Sequence, residues 1–79
     1  MKVTILFKRT MTKYSGGKER IEIELAENCT CDEALKTLGI DYREIPRFGF
    51  VAVNNMRVMI DTRLKDGDVM KVWPKVSGG

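Results

Sequence analysis

Few residues in this 79-residue chain could take part in chemistry. It contains no histidine. That absence removes Ser-His and Cys-His catalysis, His-ligated zinc and the usual near-neutral proton shuttle together. The two cysteines, Cys29 and Cys31, are spaced C-x-C. With no histidine and no second cysteine pair they make a poor metal site, and two cysteines do not build a disulfide framework. They read as reduced thiols, one packed as a small apolar side chain, and no metal is expected. What remains is the end of the sequence, Lys75-Val76-Ser77-Gly78-Gly79. Extended at about 3.3 Å per residue, such a segment reaches roughly 16 Å. It could thread a narrow channel while a folded body stays outside. Gly78 and Gly79 bring no side chain to obstruct the passage. The α-carboxylate of Gly79, with an ordinary pKa of about 3.5, is ionised at neutral pH and is a poor electrophile. It needs activation from outside, since no nucleophile–base constellation accompanies it. These residues argue against a small independent enzyme.

The elements that must hold this tail follow from periodicity. Val3, Ile5 and Phe7 alternate with Thr4, Leu6 and Lys8, a strand from about Lys2 to Lys8. Arg9 to Lys18 is polar and contains Gly16-Gly17, which predicts the loop of a wide hairpin. Gly16-Gly17 leads into a strand, not a helix, so neither a phosphate loop nor a dinucleotide fingerprint fits. Ile21, Ile23 and Leu25 alternate with charged residues, a strand with one wet face. Thr30-Cys31-Asp32-Glu33 matches a capping box. Cys31, Ala34, Leu35 and Leu38 then share a helical face that ends at Gly39.

Pro46 breaks an irregular stretch from Ile40 to Gly49. Phe50 to Val53 predicts a buried strand, Asn54-Asn55 a tight turn and Met56 to Ile60 a short strand. In the connection that follows, Leu64 plugs the core and Asp66-Gly67 turns. Val69 to Trp73 is the last strand, with Met70 and Val72 inward and Val69 and Trp73 outward. Pro74 has no N–H and is expected to end the ladder. The order strand, strand, helix, strand, strand, strand predicts an α+β fold. It is that of a β-grasp, or ubiquitin-like, roll: a mixed sheet of about five strands with one main helix on one face. Residues 1–74 are read as the β-grasp domain and 75–79 as a flexible tail.

The composition agrees with one soluble domain: 43% hydrophobic, 32% charged, and 14 Lys+Arg against 11 Asp+Glu for a net charge of +3. The basic residues are interleaved with acids, which argues against nucleic acid and leaves mild steering toward an acidic partner as a lesser option. Met1-Lys2 opens a strand pattern rather than a signal peptide, and no stretch approaches a membrane span. Cytoplasm is the expected location, with no membrane partner.

The last third resembles the MoaD/ThiS family of ubiquitin-like sulfur-carrier proteins. The residues that carry the resemblance are Val51-Ala52-Val53-Asn54-Asn55, Leu64-Lys65-Asp66-Gly67-Asp68 and Val72-Trp73-Pro74-Lys75-Val76-Ser77-Gly78-Gly79. Pro74 and the Val-Ser-Gly-Gly ending are most similar to the MoaD side, the small subunit of molybdopterin synthase. Lys75 stands where many such tails carry a second proline.

The resemblance implies that a ubiquitin-activating-type adenylyltransferase uses ATP to adenylate Gly79. Sulfur then replaces the leaving group to give a thiocarboxylate, and no cofactor is bound by the chain itself. Val76, Ser77 and Gly78 would thread the partner's active site. The sulfur would pass to an acceptor enzyme, such as the large subunit of molybdopterin synthase, thiazole synthase or a tRNA-thiolating enzyme. A ubiquitin-like modifier joined through Gly79 to lysines of target proteins requires the same activated end. Docking is expected on an apolar outer sheet face formed by Leu6, Met56 and Trp73, because an exposed Trp is a strong anchor.

Overall fold

The computed structural model describes residues 1–76. Strand β1 (Lys2–Phe7) pairs antiparallel with β2 (Arg20–Glu24) and parallel with β5 (Val69–Pro74). Strand β3 (Phe48–Val53) pairs antiparallel with both β5 and β4 (Met56–Val58). The sheet order is β2-β1-β5-β3-β4, so the strand that carries the tail lies at the centre. One helix, α1 (Cys31–Thr37), buries Cys31, Ala34 and Leu35 in the core. This is the mixed five-stranded sheet with a single main helix that the element order predicted.

Helix α1 has only seven residues and cannot persist without packing. Its start is held by the expected capping box. The Glu33 N–H donates to Thr30 Oγ1 at 3.1 Å, and the Thr30 N–H donates to Glu33 Oε1 at 2.9 Å. Its end is closed by Gly39 at φ 80°, with the Gly39 N–H on the Lys36 carbonyl and the Ile40 N–H on that of Leu35. Inward alternation on the strands supplies Val3, Ile5, Val51, Met70 and Val72 to the core, and Leu64 plugs it from its connection, as predicted.

Four features differ from the sequence expectation. The stretch after β1 is not an open loop: Arg9–Tyr14 forms a 3-10 helix that drives Met11 into the core, 1% exposed. One methionine in a polar run gives no periodic signal. The last hairpin is shifted: β3 begins at Phe48 instead of Phe50, and β4 stops at Val58 instead of Ile60.

Pro74 does not end the pairing. It sits opposite Phe48, and the Lys75 N–H donates to the Arg47 carbonyl at 2.7 Å. Finally, Met56 lies on the wrong face for its predicted role. It pairs with Val53, which pairs with buried Met70, and cross-strand partners share a face.

Candidate functional site

The candidate site is the root of the tail and the outer face of the sheet around it. Alternation along β5 sends Met70, Val72 and Pro74 inward and leaves Val69, Lys71 and Trp73 on the open face. Trp73 pairs with Phe50, and the rings stack with centroids 6.2 Å apart and planes inclined by 15°. Each ring is covered by a cation. Lys8 Nζ lies 5.4 Å from the Trp73 ring, and the Arg57 guanidinium lies 4.5 Å from that of Phe50. Such contacts each contribute about 0.5–1 kcal/mol at exposed sites.

A bulge at Gly49 creates this arrangement. In regular pairing Phe48 and Phe50, two residues apart, would face the same side. The register shifts between them, so Phe48 meets Pro74 and packs on the core while Phe50 meets Trp73 outside. Gly49 is also where two backbones come closest. A Cβ there would lie 2.6 Å from the carbonyl carbon of Pro74 and 2.9 Å from the Lys75 nitrogen. The same junction leaves an open groove of about 500 Å³, lined by Arg9, Arg47, Phe50, Trp73 and Lys75 among others. Val76, also on its lining, is 87% exposed.

The entry to β5 is fixed by polar contacts. Asp68, 9% exposed, accepts from the Lys65 N–H at 2.7 Å and from Asn54 Nδ2 at 2.9 Å. Asn54 Oδ1 in turn accepts from the Val69 N–H at 3.0 Å. The Asn54-Asn55 turn, with both residues at positive φ, is thereby tied to the Asp66-Gly67 turn.

Of the predicted docking residues, Leu6 and Trp73 are half-buried on the open face, Leu6 opposite Lys71 on the neighbouring strand. Met56 is exposed but faces the helix side, as described above. Arg57 takes the outward place on β4. Of the predicted tail residues, Val76 is the last one described. Ser77, Gly78 and Gly79 lie outside the described residues.

Sequence reasoning missed Phe50, Arg57 and Lys8. The two-residue Asn54-Asn55 turn could have found Arg57. It forces Val53 opposite Met56, hence Ala52 opposite Arg57 on the outer face.

The cysteines take no part in this site. Cys31 is fully buried, and burial, with the charge of Asp68 behind it, pushes its thiol from an ordinary 9.0 up to about 11. Burial and the Glu33 carboxylate raise the Cys29 thiol as well. Neither is a ready nucleophile at neutral pH. Among the described residues no group of three or more Cys, Asp or Glu side chains is placed to hold a metal ion. No helix there is long and apolar enough to cross a membrane.

A mixed five-stranded sheet, one covering helix and a central last strand that leads into the tail define a β-grasp, ubiquitin-like protein. The sequence profile of the ThiS family matches residues 5–79. The chain belongs to the ThiS family, whose members are small sulfur carriers that act with partner enzymes.

No match is found among curated protein sequences. Among solved structures the chain is similar to a Pyrococcus furiosus protein described as subunit 1 of a molybdopterin converting factor. The identity is 26% and the TM-score 0.76, with 96% of this chain and 99% of that one covered. It is also similar to the Helicobacter pylori complex of subunits 1 and 2 of the molybdopterin-converting factor, at 24% identity and TM-score 0.68 with both chains fully covered. A third neighbour is SAMP1 from Haloferax volcanii, at 19% identity and TM-score 0.77, again with both chains fully covered. At these lower identities the last two speak for the fold alone.

Proposed function

We propose that this chain carries sulfur on Gly79. A partner adenylyltransferase joins the Gly79 carboxylate to the α-phosphate of ATP and releases pyrophosphate. Hydrosulfide from a sulfur donor then attacks the acyl carbon, the C–O bond to AMP breaks, AMP departs, and a thiocarboxylate is left. The chain supplies the carboxylate and the docking body, and the partner supplies acid, base and nucleotide. The thiocarboxylate next gives its sulfur to an acceptor enzyme. The likeness to the Pyrococcus protein at 26% identity favours synthesis of the molybdopterin cofactor over thiazole formation or tRNA thiolation.

The observation that carries this reading is the ThiS-family match, which runs through to Gly79. The structure adds a physical support: the last described residues leave a central strand beside an open groove, with the Lys75 backbone still held by Arg47. Co-expression with an adenylating partner and a sulfur source, followed by intact mass spectrometry, tests it. The expected result is exchange of one oxygen for sulfur at Gly79, abolished when Gly78 and Gly79 are deleted. An unchanged mass would overturn the proposal. Gly-Gly remnants on lysines of other proteins, without thiocarboxylate, would replace it with the modifier reading.

A further inference from the structure

The groove at the root of the tail carries charge of one sign. Arg9, Arg47 and Lys75 stand on its lining, and Lys8 and Arg57 cover the two aromatic rings of its floor and margin. No acidic side chain lines it among the described residues. The acids of the same sheet face are on β2, two strands away from β5, and they are matched there: Glu22 is ion-paired to Arg20 at 3.7 Å and Glu24 lies opposite Lys2. The unmatched cations of the open face therefore gather at the tail exit, although the whole chain has a net charge of only +3.

A volume of about 500 Å³ is within the usual range of ligand-sized clefts. Aromatic rings beside several arginines are the side chains most often found at the energetic centres of protein interfaces.

We infer that this groove is the receptor for an acidic segment of the partner protein, carboxylates alternating with a flat or apolar side chain, at the mouth of the channel that takes the tail. The inference rests on the carrier reading and names the chemistry of the partner's docking edge. Carboxylates on the partner meet Arg9, Arg47, Arg57 and Lys75, while an apolar side chain lies along the Phe50–Trp73 pair. The cations speed the encounter and set which way round the body docks. The rings supply the apolar area. Because the groove adjoins Lys75, docking there brings the tail to the channel mouth in a fixed direction.

The probe is a blocked synthetic peptide of alternating glutamate and phenylalanine, titrated into the full chain. Trp73 is the only tryptophan, so its fluorescence reports on this groove alone. Isotope-labelled protein gives the amide shifts. The expected result is a change in Trp73 emission, with amide shifts centred on Phe50, Trp73 and Lys75. Raising salt from about 20 mM to about 200 mM should weaken binding several-fold. The double variant Arg47→Glu/Arg57→Glu should weaken it by about tenfold or more. Arg63→Glu, beside Thr30 at the start of α1, should not change it.

Equal binding of the glutamine analogue of the peptide would overturn the inference, since the groove would then be merely apolar. Equal perturbation by inorganic phosphate or AMP would overturn it as a bare anion site. So would an unaffected double variant whose amide spectrum shows it folded. Thiocarboxylate formation is read separately by mass. Peptide binding without it sinks only the carrier reading, and thiolation without peptide binding sinks only this inference.

Discussion

Gly49 lies against the backbone of Pro74 so closely that a methyl group on its α-carbon would sit 2.6 Å from the Pro74 carbonyl carbon. Real side-chain carbons do not approach backbone this way, and backbone cannot swing aside like a flexible side chain. Gly49→Ala must therefore displace Pro74 and Lys75, the residues from which the tail departs. We expect a loss of about 1–3 kcal/mol, typical of an overpacked site, and rupture of the bond from Lys75 N–H to the Arg47 carbonyl. Thermal unfolding checks the first. Amide hydrogen exchange at Lys75 checks the second, and an unchanged exchange rate would contradict the close approach.

Met11→Ala separates a packed 3-10 segment from a loop. Met11 is 1% exposed, and truncating a buried methionine costs about 2–5 kcal/mol. If Arg9–Tyr14 were an open loop, the change would be near zero. Denaturant unfolding distinguishes the two.

Met56 gives the reverse expectation. It is 69% exposed and on the helix-side face at the tip of the hairpin. Met56→Lys should alter stability by less than about 0.5 kcal/mol and leave peptide binding at Trp73 unchanged. A large effect on that binding would restore Met56 to the docking surface.

The capping box makes the helix start sensitive to acid. Hydrogen bonds from Thr30 hold the Glu33 carboxyl below its ordinary 4.5. A depressed carboxyl stabilises the fold above its unfolded value, and that contribution disappears as the pH falls through the lower folded value. Thr30→Ala should cost about 1 kcal/mol at neutral pH. Glu33→Gln should flatten the acid limb of a stability–pH curve measured below about pH 5.

At the alkaline end the sign reverses for Cys31. Its thiol is raised from 9.0 to about 11, first by burial, so the folded state holds the proton more tightly. Its contribution is complete below pH 9 and is lost as the pH rises toward 11. Cys31→Ala should shallow the alkaline loss of stability. In the wild-type chain a thiol reagent should label half-buried Cys29 well before Cys31. Equal labelling rates in the folded protein would contradict the burial.

Much of this protein is legible in one dimension, because its signals are local. Alternation in β1, β2 and β5, the Thr30–Glu33 box, Gly39 and the Asn54-Asn55 turn each depend on neighbours within a few residues. Their order is enough for the fold class. The Gly-Gly ending with the Asp66-Gly67-Asp68 turn pointed to the family. The open face at the tail root was legible only in part. Trp73 and Leu6 follow from strand parity, but Met56 falls on the other face, because the two-residue turn sets it opposite Val53.

What tertiary structure alone decided is the tail's exit. The bulge at Gly49 is a mismatch between two strands, and it puts Phe48 inside and Phe50 outside. The pairing of Lys75 with Arg47, the stacking of Phe50 on Trp73, and the approach of Lys8 to Trp73 join residues between about 20 and 70 positions apart. Hydrophobic pattern and capping act along the chain. Register and charge clustering act across strands, where closeness follows from how the sheet closes on its central strand.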